Sequence, residues 1–251
     1  MGIFSSLFGA AIGGMFGGPL CAILGYAVGS NLRTNAHKSS SYSQRDLQAA
    51  FTVALVSLAA KVAKADGKVC ENEINAFDDF LKRNLGMSTQ ERQHAAKIFN
   101  VARDSKYPPE DFAKQLRSIF AQQGDRLRDV LTILYMIAFA DNQIHSSEER
   151  IIKKIGLAMG LSLQDIVQCR ATFDSVQSKH KYSLNDAYQV LGVSPKDSDE
   201  KIKSAHRKLV REYHPDKLAS KGLPEDFNEF AKQKMVAINE AWNTIKSQRA
   251  L

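Results

Sequence analysis

The sequence predicts an all-α protein: an N-terminal transmembrane helix, a helical bundle with an internal repeat, and a C-terminal helical hairpin. Three observations predict it. The first charged side chain of the 251-residue chain is Arg33, so 32 uncharged residues come first. Residues 45–178 place apolar side chains at helical spacing with almost no strand alternation. Residues 183–251 hold two amphipathic helical patterns on either side of a polar loop. With 44% apolar and 24% charged residues, most of the chain can bury a core, which excludes a disordered protein.

A helix from Ile3 to Gly29 would rise roughly 40 Å, more than the ~30 Å hydrocarbon core of a bilayer, so residues 1–32 read as a single spanning anchor. Glycine fills eight of those positions. Gly9, Gly13 and Gly17 fall at four-residue steps, as do Gly14 and Gly18, and Gly25 and Gly29. Such faces let two helix backbones approach, and they predict a homodimer through the membrane segment. Pro19 either kinks the helix or splits it into a re-entrant hairpin. A cleaved signal peptide fits poorly, because no Lys or Arg precedes the apolar stretch. Gly2 followed by Ser6 matches the myristoylation pattern, but the anchor already accounts for the apolar run. Arg33, His37 and Lys38 follow it and place the bulk of the chain in the cytoplasm, with lipid as a partner. Residues 33–44 form a polar, Ser-rich linker.

Cys21, Cys70 and Cys169 are far apart, with no CxxC and no zinc-ligand spacing, and read as free thiols in a reducing compartment.

In residues 45–178, Leu47, Phe51, Ala54, Leu55, Leu58 and Val62 share a helical face, as do Leu127, Leu131, Leu134 and Ala138. Breaks at Asp66-Gly67, Gly86, Pro108-Pro109, Gly124, Asp141-Asn142 and Gly160 predict about seven helices. The stretch from Ala63, AKADGKVCENEINAFDDFLKRNLGMS, lines up with AFADNQIHSSEERIIKKIGLAMGLS from Ala138. Each copy gives an apolar helix, a short loop with an aliphatic residue (Val69 or Ile144), an acidic helix start and a Gly-containing stop. Ser146 and Glu149 have capping-box spacing.

On these paired Ala-Asp and downstream Glu signatures the region resembles the TerB-like family associated with tellurite resistance, a small helical bundle of two related halves. The resemblance implies a divalent metal held by Asp66, Glu73, Asp141 and Glu148. The residues themselves also read as turn and helix-start groups, with Glu73 and Glu148 offsetting the helix dipole. Lys68 and Cys70 break the alternating oxygen ligands of a calcium loop.

In the last region a short helix around Asp186–Leu191 ends at Gly192, and a longer one starts near Asp199 with Ser198 as cap. Ile202, Ala205 and Leu209 line one face of this second helix, while Lys203, Arg207 and Arg211, with Lys208 beside them, line another. In the third helix Phe230, Met235, Ile238, Trp242 and Ile245 face the core, and Ala231 and Ala241 allow close packing. The intervening loop opens with His214-Pro215-Asp216. This module resembles a J-domain of the DnaJ family across its length: Tyr188 and LGV, the basic stripe, YHPDK, NEAW and QRA. His206 and Trp242 stand where the family usually has Tyr.

The resemblance implies a partner, a DnaK-type 70-kDa heat-shock ATPase whose ATP hydrolysis the module stimulates. Lys203, Arg207, Lys208 and Arg211 would steer onto an acidic surface. His214, Pro215 and Asp216 would insert at the ATPase domain and its linker, with Pro215 fixing the turn and Asp216 pairing a partner Arg. Ten acidic against 12 basic residues in this module argue against nucleic acid. No phosphate loop, nucleophile elbow or His-Glu metal helix is present, so no enzyme is predicted. No Gly/Phe-rich segment or Cys-rich zinc module suggests general holding of unfolded chains.

The order of anchor, bundle and J-domain resembles the membrane-anchored DnaJ-like co-chaperones of the Gram-negative inner membrane. The bundle would then select clients or stress signals there. A metal-responsive or tellurite-stress sensor, with the bundle primary, is the other reading. Apart from the metal the TerB-like resemblance implies, no cofactor is expected.

Overall fold

Apolar periodicity resolves into packed helices in the computed structural model, which describes residues 18–20, 22–23, 44–65, 67, 69, 71–84, 86–121, 123–139, 143–177, 183–214 and 228–250. Among the described residues every regular element is helical, in agreement with the all-α reading. Seven helices occupy the middle region: α1 (Gln44–Ala63), α2 (Glu71–Asn84), α3 (Thr89–Asp104), α4 (Pro109–Ile119), α5 (Gly124–Ala138), α6 (Ser146–Ala158) and α7 (Leu163–Gln177). Then come α8 (Leu184–Val190), α9 (Asp199–Glu212) and α10 (Asn228–Arg249).

The periodicity of α1 predicts one buried face, but every residue from Ala49 to Val62 is buried. A helix that is apolar all round belongs inside, and α1 packs on α3, α4, α5 and α6. Phe51 meets Phe120 edge-on with ring centroids 6.1 Å apart, and burying each such ring contributes about 1.5–3 kcal/mol. The two long apolar helices of the repeat, α1 and α5, pack on each other, each followed by a helix with an acidic start (Glu71 in α2, Glu148 and Glu149 in α6).

The cap of α6 differs from the predicted pairing of Ser146 with Glu149. The N-cap is His145, whose backbone N–H donates to Glu148 Oε2 at 2.8 Å. The helix begins one residue earlier than the Ser146 hydroxyl would require as its cap, so the carboxylate three residues into the helix is Glu148.

The described part of the predicted anchor also departs from expectation. Gly18 has φ +71°, outside the right-handed helical region, so no single helix runs unbroken from Ile3 to Gly29; Pro19 follows, a residue suited to a helix start. Leu20 and Ile23 are buried in the core of the helical region, and the Leu20 N–H donates to Gln115 Oε1 at 3.0 Å. A Cβ on Gly18 would lie 3.2 Å from that same oxygen, so the glycine serves a close approach to α4 here. Among the described residues no helix is long and apolar enough to cross a membrane. Gly9, Gly13, Gly14, Gly17, Gly25 and Gly29 lie outside the described residues, as do Cys21, Arg33, His37 and Lys38.

Two hydrophobic cores form, and they interlock: Ala171 of α7 joins the core of α8–α10. Phe230, expected in the latter, reaches instead into the core of the helical region. Ala187, Ile202, Ile238, Ala241 and Ile245 fill the second core, with Met235 and Trp242 half-buried against it.

Candidate functional site

The site is built on three short-range devices. Ser183 caps α8, its hydroxyl accepting from the Asp186 N–H at 3.2 Å. Gly192, at φ +68°, ends it, and the Val193 N–H returns to the Tyr188 carbonyl at 3.0 Å. Ser198 caps α9 through the Lys201 N–H at 3.3 Å. Arg249 near the C-terminus then ties these parts together. Its guanidinium donates to Tyr188 Oη at 2.7 Å, to Asp199 Oδ1 at 2.7 Å and to the carbonyls of Asp197 and Pro195.

Ile202 of α9 is fully buried, so the opposite face must point outward; Lys203, Arg207, Lys208 and Arg211 are all exposed there. The stripe leads into Tyr213 and then His214, which is exposed. Pro215 and Asp216 lie outside the described residues. The structure therefore brings the four predicted cations and His214 onto one helix and its end.

His206 and Trp242, the two departures from the DnaJ pattern, pack on each other. Their rings stack at 4.7 Å with 8° between planes, and His206 Nε2 lies 3.4 Å from Asn239 Oδ1. Burial lowers the His206 pKa, with the Asn239 contact opposing it.

The side of this module away from the stripe meets the helical region. α8 and α10 pack on α7, and the Gln168 and Gln164 side-chain amides donate to the carbonyls of Val190 and Gly192, each at 3.0 Å. Beneath them lies a buried polar triad. Tyr213 Oη donates to Asp129 Oδ1 at 2.6 Å, and Lys234 Nζ donates to the same oxygen at 2.8 Å and to Tyr213 Oη at 2.7 Å. The three residues are 3–6% exposed, and at that depth an ammonium persists only when paired and hydrogen-bonded. Burial and the neighbouring Asp129 push the Tyr213 hydroxyl well above its ordinary pKa. Arg128 adds longer contacts of 3.6 Å to Glu212 and to Asp165.

Sequence reading missed this triad. Its one visible signal is Lys234, set between Phe230 and Ile238 at four-residue steps on an otherwise apolar face.

Cys169 is buried and free, as the thiol reading expected, its Sγ donating to the Arg128 carbonyl at 3.4 Å. Burial raises its pKa to about 11, which makes it a poor nucleophile. Of the metal candidates, Glu148 is buried and caps its own helix. Asp66, Asp141 and the side chain of Glu73 lie outside what is described.

Two known families match the chain in order. The family described as tellurite resistance protein TerB matches residues 52–171, and the DnaJ domain matches residues 186–250. Curated relatives match over nearly the full length. Co-chaperone protein DjlA of Escherichia coli K12 is 30% identical, with 99% of each chain covered. DjlA of Salmonella paratyphi A is 31% identical with the same coverage, and that of Photobacterium profundum 27% identical over 98% of this chain and 99% of its own. No solved structure matches. With such identity across the whole chain, and a TerB match preceding a DnaJ match, the protein belongs to the DjlA family of co-chaperones.

Proposed function

We propose that the protein binds a DnaK-type 70-kDa heat-shock chaperone through α9 and the His214-Pro215-Asp216 loop and stimulates its ATP hydrolysis. The observation that carries this reading is the exposed run Lys203, Arg207, Lys208 and Arg211 ending at exposed His214. Four cations on one open face accelerate encounter with an acidic partner surface, and the ATP chemistry stays with the chaperone. The test is the affinity of the full chain for the ATP-loaded chaperone at low and physiological salt. Arg207→Glu with Arg211→Glu should weaken binding by at least about tenfold at low salt, the equivalent of one or two surface charge contacts in a steered complex. Unchanged affinity would overturn the assignment of the stripe.

In the same reading residues 1–32 hold the protein at the bacterial inner membrane, pair two copies through their glycine faces, and leave the bulk of the chain in the cytoplasm. The uncharged run before Arg33 supports this, and Leu20 and Ile23 would exchange protein for lipid on insertion. The TerB domain would select clients or signals near that membrane.

The match to a tellurite resistance family favours a second reading, a metal- or tellurite-responsive domain using Asp66, Glu73, Asp141 and Glu148. Loss of function in Asp66→Asn and Asp141→Asn, with His214→Gln harmless, would select it.

A further inference from the structure

We infer that Asp129 of the helical domain is a positioning residue for the chaperone-stimulating loop, acting through Tyr213 and Lys234. The inference rests on the co-chaperone reading and deepens it.

Tyr213 directly precedes His214 and sits at the C-terminal cap of α9, where the chain leaves the helix. Its hydroxyl is fixed from outside its own module, by the Asp129 carboxylate on α5, 84 positions earlier in the chain. Lys234 of α10 closes the triangle, touching both the carboxylate and the hydroxyl, and its ammonium also lies 4.4 Å from the centre of the Tyr213 ring. One carboxylate thus ties together the end of α9, the helix that packs against it, and the helical domain. All three side chains are almost fully buried, so water is a poor substitute and the geometry is strongly held.

The face engaged in this contact is not the basic one. Lys203, Arg207, Lys208, Arg211 and His214 stay exposed while the triad is formed. The docked arrangement is therefore open to a chaperone and fixes Tyr213, the residue that caps α9 directly before His214. Encounter belongs to the stripe, and productive seating of the loop belongs to the triad.

The division of labour is testable with the full chain in lipid vesicles, by single-turnover ATP hydrolysis of a DnaK-type chaperone across a range of co-chaperone concentrations. Asp129→Asn keeps the shape but strands the Lys234 ammonium. Maximal stimulation should fall by about tenfold, the equivalent of one charge-assisted hydrogen bond, while the half-saturating concentration stays within about twofold. Adding Lys234→Met removes the stranded charge and leaves Tyr213 able to donate to Asn Oδ1, so the double variant should recover most of the stimulation. The unchanged half-saturating concentration separates positioning from a failure to fold, which would lower the concentration of competent chain and raise that value instead.

Stimulation by Asp129→Asn equal to or above that of the unaltered chain overturns the inference, as does a loss that the double variant does not restore. A loss that appears in the half-saturating concentration instead of the maximum overturns it too. No stimulation by the unaltered chain overturns the co-chaperone reading itself, and the inference with it.

Discussion

Replacing Gly192 by Ala perturbs the junction between the DnaJ module and the helical domain at one backbone position. Gly192 has φ +68°, and holding an L-residue there costs about 1–2 kcal/mol. The new Cβ would also lie 2.9 Å from Gln168 Nε2 and 3.0 Å from its Cδ and Oε1. Because the far end of a Gln side chain is flexible, the amide rotates away instead of distorting the backbone. It then loses its 3.0 Å bond to the Val190 carbonyl, a further loss of about 0.5–1.5 kcal/mol.

Together these give roughly 2–3 kcal/mol, of which only the first part is intrinsic to the backbone. The assay is urea unfolding of the unaltered chain, Gly192→Ala, Gln168→Ala and the double variant. In the Gln168→Ala background the contact is gone and Gly192→Ala should cost only the backbone share, a coupling of about 1 kcal/mol. A neutral Gly192→Ala, or a coupling indistinguishable from zero, would refute the reasoning.

Further expectations follow from the same structure. Gly156→Ala places a Cβ 2.9–3.1 Å from Ile166 and Leu131; overpacking of about 1–3 kcal/mol should outweigh a helix-propensity gain of about 1 kcal/mol. Ile166→Val should relieve part of the deficit in thermal unfolding. Because the His206 pKa is lowered on folding, the unfolded chain binds more protons as pH falls through about 6.5. Its contribution to stability is full above that value and lost on acidification through the lower folded pKa. His206→Phe, which keeps a ring on Trp242, should flatten the change in urea midpoint between pH 7.5 and 5.5; an unaltered slope would exclude His206 as its source. Cys169, with its pKa raised to about 11, should resist alkylation at pH 8 in the folded chain and react promptly in urea, as read by mass spectrometry.

What the sequence disclosed and what it hid have physical reasons. The breaks at Gly86, Pro108-Pro109 and Gly160 are local backbone chemistry, and they fall where α2 gives way to α3, α3 to α4 and α6 to α7. The basic stripe was legible because helical periodicity alone fixes which residues share a face. Burial all round α1 was not, because the part of it facing α4 and α6 depends on chain more than 40 positions away. Asp129 gave no signal for the same reason: beside Arg126 and Arg128 it reads as a surface charge, and its partners Tyr213 and Lys234 belong to the other module. Lys234 was visible as an interruption of an apolar stripe, and Arg249 only as the end of a motif. The substitutions at His206 and Trp242 looked independent until the stack joined them. In the N-terminal segment, composition predicts a span, whereas Gly18 and its approach to Gln115 depend on tertiary contact.

The central claim is that this chain drives ATP hydrolysis on a DnaK-type chaperone through the loop that begins at His214. Its most direct test is the single-turnover rate of ATP hydrolysis by that chaperone with the full chain and with its His214→Gln variant. The account predicts clear acceleration by the unaltered chain and its loss in His214→Gln; no acceleration, or equal acceleration by both, would contradict it.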